Sequence, residues 1–197
     1  GNLGGIVASR LAREFNVGGP SFTISANEDS GLHACELAAT ALRRGELDRA
    51  LVGAVDFPND IRHRVESLRD NVSPDHAPVC DGAAALVLKR LEDAIRDGDP
   101  IHAVINGFVD GRIDSGVTIE NRSQFVGAAT GLATLAAAVI RLEDRILDEP
   151  SRHYWLANRA DGPRRICVVG TAEDGRYPVV ELSESPEISG GEIRHGR

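Results

Sequence analysis

The residues best suited to chemistry in this chain lie between a short apolar segment and an alanine-rich one. Glu28, Asp29 and Ser30 form a polar turn, and His33 comes three residues after Ser30. The segment before the turn, Ser21–Ser25, alternates polar and apolar side chains, which predicts a short strand. After the turn, apolar residues recur at spacings of three and four, which predicts a helix. A side chain at the start of that helix lies where the dipole and free N–H groups stabilise negative charge, as a nucleophile requires.

Two interpretations of the turn are open from these residues alone. Glu28 could act as a site residue, or its carboxylate could simply cap the helix, which is the simpler explanation. Ser30 and His33 could form a nucleophile and its base, although a surface position explains them better. The remaining histidines show no HxxxH spacing and the chain has no CxxC. The sequence therefore predicts no metal site.

The composition is that of a globular protein. Of its 197 residues, 42% are apolar and 26% charged, which suits one domain and at most two. The formal net charge of −8 argues against nucleic acid as a partner, because phosphate binding needs clustered Lys and Arg. No apolar run predicts a membrane span or a signal peptide. The three cysteines, Cys35, Cys80 and Cys167, are far apart in apolar settings, which predicts reduced, buried thiols in the cytoplasm.

Strands and helices alternate along the chain, which predicts the α/β class. Strands are predicted at 21–25, 49–56, 82–88, 101–108, 165–171 and 177–182. Helices are predicted at 6–15, 32–44, 89–96 and 128–147. The apolar runs 49–56 and 82–88 are typical of strands buried on both faces. Residues 109–124 show no usable periodicity.

Five blocks of sequence, taken in order, resemble the β-ketoacyl synthase family. They are GNLGGIVASRLAREFNVGGPSFTIS, RRGELDRALVGAVD, GAAALVLKRLEDAIRDGDPIHAVING, GAATGLATLAAAVIRLEDRIL and YWLANRADGPRRICVVGTAEDG. These blocks are most similar to ketosynthase-like and chain-length-factor domains of polyketide and polyunsaturated-fatty-acid synthases. The resemblance implies a layered thiolase fold, here partial, because the N-terminal strands and part of the C-terminal half have no counterpart. It also implies a homo- or heterodimer in which the strand formed by Ser21, Phe22, Thr23, Ile24 and Ser25 pairs with its equivalent.

The departures from the family concern its catalytic residues. Active members carry a nucleophilic cysteine in a motif such as DTACSSS, and the aligned residue here is Glu28. The first catalytic histidine, of a motif such as EAHGTGT, has no counterpart. At the second, of a GHTEAA-like motif, the aligned residue is Phe125, and the family's asparagine-bearing turn is replaced over 171–177. The resemblance thus implies that Glu28 and Phe125 occupy catalytic positions without catalytic function.

These observations lead to one main hypothesis. Residues 1–182 are predicted to form a truncated ketosynthase-like domain, and 183–197 a polar tail. The domain would be a non-catalytic, chain-length-factor-like module that pairs with a condensing subunit and shapes the acyl cavity. It would need no cofactor of its own, because the acyl groups are carried on the phosphopantetheine of a partner acyl carrier protein.

Two other functions are open. The chain could be part of a β-ketoacyl synthase that condenses or decarboxylates malonyl-carrier-protein units with residues outside this chain. It could also be a structural remnant that stabilises a neighbouring domain. In each case the expected location is the cytoplasm, without a membrane or nucleic acid as partner.

Overall fold

The computed structural model describes residues 4–57, 61, 65, 81–110, 117–120, 127–147, 153–156, 162–170 and 178–185. Helices run over α1 (Gly4–Glu14), α2 (Ser30–Arg43), α3 (Leu91–Asp97) and α4 (Thr130–Asp144). Strands run over β1 (Arg49–Asp56), β2 (Gly82–Lys89), β3 (Ala103–Asp110), β4 (Val117–Glu120), β5 (Ile146–Leu147), β6 (His153–Tyr154), β7 (Arg165–Val169) and β8 (Pro178–Glu184). The predicted α/β class is confirmed.

The strands form two main sheets and a small one. In one main sheet β1 pairs with β2 in antiparallel register, from Arg49 opposite Lys89 to Asp56 opposite Gly82. The other has the order β3-β8-β7-β4, in which only β4 and β7 are parallel. The antiparallel pair β7–β8 was predicted from the sequence and is confirmed. The small sheet joins β5 to β6.

Two helices form the layer between the main sheets. α2 contacts β1 and β2, while α4 contacts β2 on one side and β7 and β8 on the other, and the two helices pack against each other. The α2 face predicted from spacing is buried, with Leu32, Cys35 and Leu42 all at most 4% exposed. This layer holds most of the apolar core, because each helix must bury its apolar stripe against a sheet.

The two central helices cross at a pair of glycines. A Cβ at Gly31 would lie 2.7 Å from the Cβ of Leu132, and a Cβ at Gly131 would lie 2.7 Å from the Cγ of Leu32. Real Cβ atoms do not approach other carbons so closely, so the crossing admits no larger residue at either glycine. Each helix therefore inserts a leucine into the gap left by a glycine of the other.

Arg90 fastens the end of α2 to α3. Its guanidinium donates to the carbonyl oxygens of Leu42 and Leu47, at 3.2 and 2.5 Å, and to the carboxylates of Asp48 and Asp93. The carbonyls at a helix C-terminus have no partner within the helix. A planar guanidinium with five N–H donors can satisfy several of them at once.

The predicted strand Ser21–Ser25 is wrong for the chain as described. Residues 20–26 belong to no strand, and the side chain of Phe22 is exposed. An extended segment becomes a strand only when a neighbour satisfies its N–H and C=O groups, and the described chain places no strand beside it. Pairing of this segment across a dimer stays a prediction.

The structure differs from the expectations at four other places. β1 and β2 are buried on one face only, because the apolar side chains on their outer face lie in solvent. The aperiodic region 109–124 contains β4, whose four residues are too few to show a period. The last helix ends at Asp144, because Arg145 adopts a left-handed backbone with φ of 56°. In addition, β8 extends to Glu184, two residues beyond the predicted end of the domain.

We predict that the helix crossing can be tested by a double-mutant cycle at Gly131. Gly131→Ala should lower the free energy of unfolding by about 1–3 kcal/mol, because the new Cβ overlaps Leu32. In a Leu32→Ala background the same substitution should lower the free energy of unfolding much less, because the Leu32 Cγ that the new Cβ would overlap is absent. Urea unfolding of the four proteins gives the coupling energy.

Two controls make the cycle specific. Gly31→Ala should stay costly in a Leu132→Ala background, because the Cβ that it strikes remains. Gly5→Ala, in α1 where a Cβ meets open space, should be neutral or stabilising by up to about 1 kcal/mol. Equal costs for the substitution in both Leu32 backgrounds would contradict the crossing.

The acidic groups beside Lys89 predict a loss of stability in acid. Lys89 Nζ lies 2.5 Å from Asp97, and its hydrogen bond, aided by one from Arg96, lowers the pKa of Asp97 to about 2. An unfolded aspartate titrates near 3.9, so the interaction stabilises the fold above that pH. Its contribution is lost as the pH falls through about 2. Between pH 5 and 2, the urea concentration at the unfolding midpoint should fall less for Asp97→Asn than for the parent chain.

Glu92→Gln is the matched control for this measurement. Glu92 lies on the same helix and makes no ion pair among the described residues. Its neutralisation should leave the acid-dependent fall unchanged. Parallel pH profiles for the parent and Asp97→Asn would show that the interaction does not stabilise the fold.

Candidate functional site

The polar turn before α2 is a sharp elbow. Asn27 has a left-handed backbone, with φ of 46°, at the start of a single 3-10 turn over Asn27–Asp29. Asparagine tolerates this conformation better than most residues. Ser30 closes the elbow, because its Oγ accepts from the N–H of Ala26 at 2.9 Å and donates to the carbonyl of Asn27 at 2.6 Å. The elbow shape predicted from the sequence is thus present.

A second elbow of the same construction precedes α4. Gly127 has φ of 51° and opens the 3-10 turn Gly127–Ala129. Thr130 Oγ1 donates to the carbonyl of Gly127 at 2.6 Å, as Ser30 does in the first elbow. The elbows lie against each other where α2 and α4 cross. Two equivalent units therefore meet at one point of the molecule.

Asp56, at the end of β1, anchors the second elbow. Its Oδ2 accepts a hydrogen bond from the N–H of Ala128 at 2.7 Å. A Cβ at Gly127 would lie 1.9 Å from the same oxygen. Glycine is therefore required at this position for two reasons: the backbone has a positive φ, and a side chain would overlap the carboxylate of Asp56.

Asp29, the last residue of the first elbow, lies beside Gly170 at the end of β7. The Asp29 side chain is 4% exposed. A Cβ on Gly170 would lie 2.5 Å from its Oδ1. The first elbow thus lies close to the end of β7, and the second lies close to the end of β1.

Glu28 lies at the tip of the first elbow and is half-buried. It immediately precedes the buried Asp29, and its carbonyl oxygen lies beside Gly131 of the second elbow. This is the position for which the sequence implied a nucleophile. Chemically, a carboxylate here can accept hydrogen bonds and carry charge at a helix N-terminus, but it lacks the thiolate that forms acyl thioesters.

The structure does not form the Ser30–His33 pair considered above. The hydroxyl of Ser30 is occupied by Ala26 and Asn27. His33 instead faces Glu36, with 3.8 Å between Nδ1 and Oε2, and both side chains are largely exposed. A serine whose proton is already donated to a backbone carbonyl is not activated by a histidine.

The remaining predicted residues divide between buried and undescribed ones. Cys35 and Cys167 are buried, as predicted, and burial raises the pKa of the Cys35 thiol to about 12. A thiol with so high a pKa is inert at neutral pH. Cys80 and Phe125 lie outside the described residues, so the assignment of Phe125 stays a prediction.

Other kinds of site find no support in the described part of the chain. The residues with assigned positions contain no cluster of His, Cys, Asp and Glu that could hold a metal ion. Among them, too, no helix is long and apolar enough to cross a bilayer. A cleft of about 90 Å³ lies between α2 and the β3–β8 pair, and another of about 240 Å³ lies beside His102 and Glu143. Glu28 lines neither cleft.

Comparison with known proteins gives the family. Residues 1–94 match the N-terminal domain of the β-ketoacyl synthases. The PKS-NRPS hybrid synthetase acdB of Aspergillus candidus is 40% identical over 119 residues, 54% of this chain and 5% of that protein. The lovastatin diketide synthase lovF of Aspergillus terreus is 28% identical over 192 residues, 89% of this chain and 7% of that protein.

Solved structures show the same fold. The ketosynthase from module 6 of the bacillaene synthase of Bacillus subtilis has a TM-score of 0.79 and 21% identity, covering 94% of this chain and 51% of that one. The oxazolomycin ketosynthase domain OzmH KS7 of Streptomyces albus has a TM-score of 0.80 and 16% identity, covering 93% and 50%.

Residues 1–94 belong to the β-ketoacyl synthase family, and the chain has the thiolase-like fold of ketosynthases. It spans about half of these ketosynthase structures and a small part of the multidomain synthases that it matches. That coverage agrees with the predicted partial fold.

Sequence analysis missed Asp56, Gly127 and Gly131 as parts of the site. Asp56 and Ala128 are 72 residues apart, and no local pattern links residues at such a separation. A signal was nevertheless present in the two similar triplets Ser30-Gly31-Leu32 and Thr130-Gly131-Leu132. They mark the two elbows as equivalent units.

We predict that Gly127→Ala destabilises the chain more than Gly45→Ala does. Both glycines have positive φ, 51° and 72°, but a Cβ at Gly45 meets open space. Gly45→Ala should therefore cost only the left-handed backbone, about 1–2 kcal/mol. Gly127→Ala should cost about 1–3 kcal/mol more, because it strikes Asp56.

An Asp56→Ala background separates the two causes. There the cost of Gly127→Ala should fall to that of Gly45→Ala, because the carboxylate is gone. Thermal or urea unfolding measures each difference. If the excess cost persists without the carboxylate, Asp56 does not anchor this elbow.

Proposed function

We propose that this chain is a non-catalytic, chain-length-factor-like ketosynthase module of a polyketide or fatty acid synthase. In this proposal it pairs with a condensing ketosynthase subunit or domain and shapes the cavity that holds the growing acyl chain. The acyl chain stays on the phosphopantetheine of an acyl carrier protein. The matched relatives include polyketide synthases and PKS-NRPS hybrid synthetases, which supports this setting.

The observation that carries the proposal is Glu28 at an intact elbow. The geometry that presents a nucleophile in this family is maintained by Asn27, Ser30 and the crossing glycines. The side chain presented is a carboxylate. The family resemblance also implies that Phe125 stands where the family has its second catalytic histidine. A chain that keeps the fold but lacks the cysteine and the histidine is better suited to shaping a cavity and pairing with a subunit than to forming bonds.

The helix N-terminus at the first elbow also supports an alternative, enzymatic role. The elbow retains a helix N-terminus aimed at position 28, and such an end stabilises developing negative charge. If histidines were supplied by residues outside this chain, condensation or decarboxylation of malonyl-carrier-protein units could take place at the assembled site. The two functions differ in whether carbon dioxide and a covalent acyl-enzyme are formed.

The decisive experiment uses the full chain with acyl and malonyl carrier proteins. We predict no covalent acylation by intact-protein mass spectrometry and no release of carbon dioxide. Addition of a condensing ketosynthase should alter the length distribution of its products rather than start a new reaction. Carbon dioxide released from malonyl carrier protein by the chain alone would favour the enzymatic alternative.

A cysteine at position 28 tests the elbow separately from the chemistry. In a Cys80→Ser background, the thiol of Glu28→Cys should react with iodoacetamide roughly tenfold faster than that of Glu36→Cys, because a helix N-terminus lowers a thiol pKa. Glu36 is the matched control, since it lies inside the same helix and is exposed. Buried Cys35 should stay unlabelled in both. We expect Glu28→Cys to be alkylated yet unable to condense, because Phe125 aligns with the family's histidine. Condensation by this variant would show that the remaining catalytic groups are present and that Glu28 alone blocks the reaction in the parent chain.

A further inference from the structure

The sequence contains a single lysine. Of its 22 lysines and arginines, all but Lys89 are arginines. The difference decides reactivity, because a lysine amine can lose its proton and attack a carbonyl carbon, whereas a guanidinium stays protonated in proteins. Lys89 is therefore the one side-chain amine of this sequence at which an acyl group could form an amide.

Two carboxylates enclose the amine of Lys89. Its Nζ lies 2.5 Å from Oδ2 of Asp97 and 2.5 Å from Oδ2 of Asp99. The Lys89 side chain is only 11% exposed, against 34% and 43% for the two aspartates. The carboxylates are thus the outer members of the group and cover the amine on its solvent side.

A short run of consecutive residues, 89–99, builds this enclosure. Lys89 ends β2, and α3 then turns the chain back towards the strand. The helix stops at Gly98, which has a left-handed backbone with φ of 68°, a conformation that glycine adopts at little cost. The turn brings Asp97 and Asp99, on either side of the glycine, to the same amine. All parts of the enclosure therefore lie within the described chain.

The hydrogen bonds hold the amine in its protonated form. Donation to Asp97 and to Asp99 raises the pKa of Lys89, and even an unperturbed lysine titrates only near 10.4. Amide formation from a thioester needs the neutral amine, whose lone pair attacks the carbonyl carbon. The C–N bond forms, the C–S bond breaks, and the departing thiolate takes up the proton that the amine loses. An ammonium group has no lone pair with which to begin this reaction.

The expected surroundings of the chain make this reactivity relevant. The function proposed above places the chain beside acyl and malonyl carrier proteins, whose acyl groups are thioesters. An accessible lysine in such surroundings can be acylated without an enzyme and then loses its positive charge. The importance of the enclosure to the cell rests on the proposed function, whereas its effect on the amine does not.

We propose that Lys89 is a shielded acylation site, at which Asp97 and Asp99 prevent the amine from attacking acyl thioesters. While both carboxylates are in place, the chain forms no lysine amide with a thioester. When they are neutralised, the amine becomes reactive at this one position. Acylation there would also remove the charge that both aspartates bind, so the enclosure could not form again around the product.

A small thioester, S-butyryl-N-acetylcysteamine, tests the shielding at mildly alkaline pH. Arg10→Lys supplies a reference amine in the same molecule, because Arg10 lies exposed on α1. Peptide mass spectrometry should find Lys89 acylated roughly tenfold or more slowly than position 10, since fewer of its amines are neutral. Equal rates at the two positions of the folded chain would overturn the proposal.

Neutralising the two aspartates should remove the shield. In the same background, Asp97→Asn combined with Asp99→Asn should raise the rate at Lys89 several-fold, towards that of position 10. Glu92→Gln is the matched control, because Glu92 lies on α3 and makes no ion pair among the described residues. It should leave the rate unchanged. A folded double variant that reacts as slowly as the parent would show that the carboxylates do not protect the amine.

Unfolding provides a second measurement that does not depend on the double variant. In concentrated urea the turn at Gly98 is lost, and Lys89 should then be acylated at nearly the rate of position 10. A Lys89 that stays slow in urea would show that its sequence neighbours, not the folded enclosure, suppress the reaction. None of these rates depends on Glu28 or on a condensing partner, so the assays with carrier proteins test the proposed function separately.

Discussion

The close crossing of α2 and α4 determines the arrangement of everything near position 28. At Gly31 and Gly131 the two helices approach until a single additional carbon would overlap a leucine of the other helix. Side-chain packing of this density fixes both the separation and the rotation of the pair. The sheets lie on either side of these helices, and both elbows begin where the helices cross. A change at either glycine therefore acts on the core and on the elbow together.

The elbows follow from that crossing rather than from any catalytic requirement. Ser30 and Thr130 close them through equivalent hydrogen bonds to backbone carbonyls. Asp29 and Asp56 place a carboxylate between each elbow and a neighbouring strand end or turn. None of these contacts uses the side chain of Glu28. The shape that presents residue 28 can accordingly be maintained while the residue presented changes from a nucleophile to a carboxylate.

Local sequence was sufficient where one element carries the whole signal. The buried face of α2 followed from the spacing of Leu32, Cys35 and Leu42, and the elbow from the polar residues before it. Local sequence failed where the partner is distant: the contact of Asp56 with Ala128 spans 72 residues, and Ser21–Ser25 has the alternation of a strand but no neighbour in the described chain. β1 and β2 misled for another reason. Apolar residues on both faces of these strands predicted burial on both faces. The sequence of a strand does not indicate which of its faces another element covers.

The two elbows and the exposed apolar surfaces are separate features of the chain. The groups that hold the elbows in place are two glycines, two hydroxyls and two aspartates. The large side chains left in solvent, on α1 and on the β1–β2 sheet, are instead suited to contact with another polypeptide.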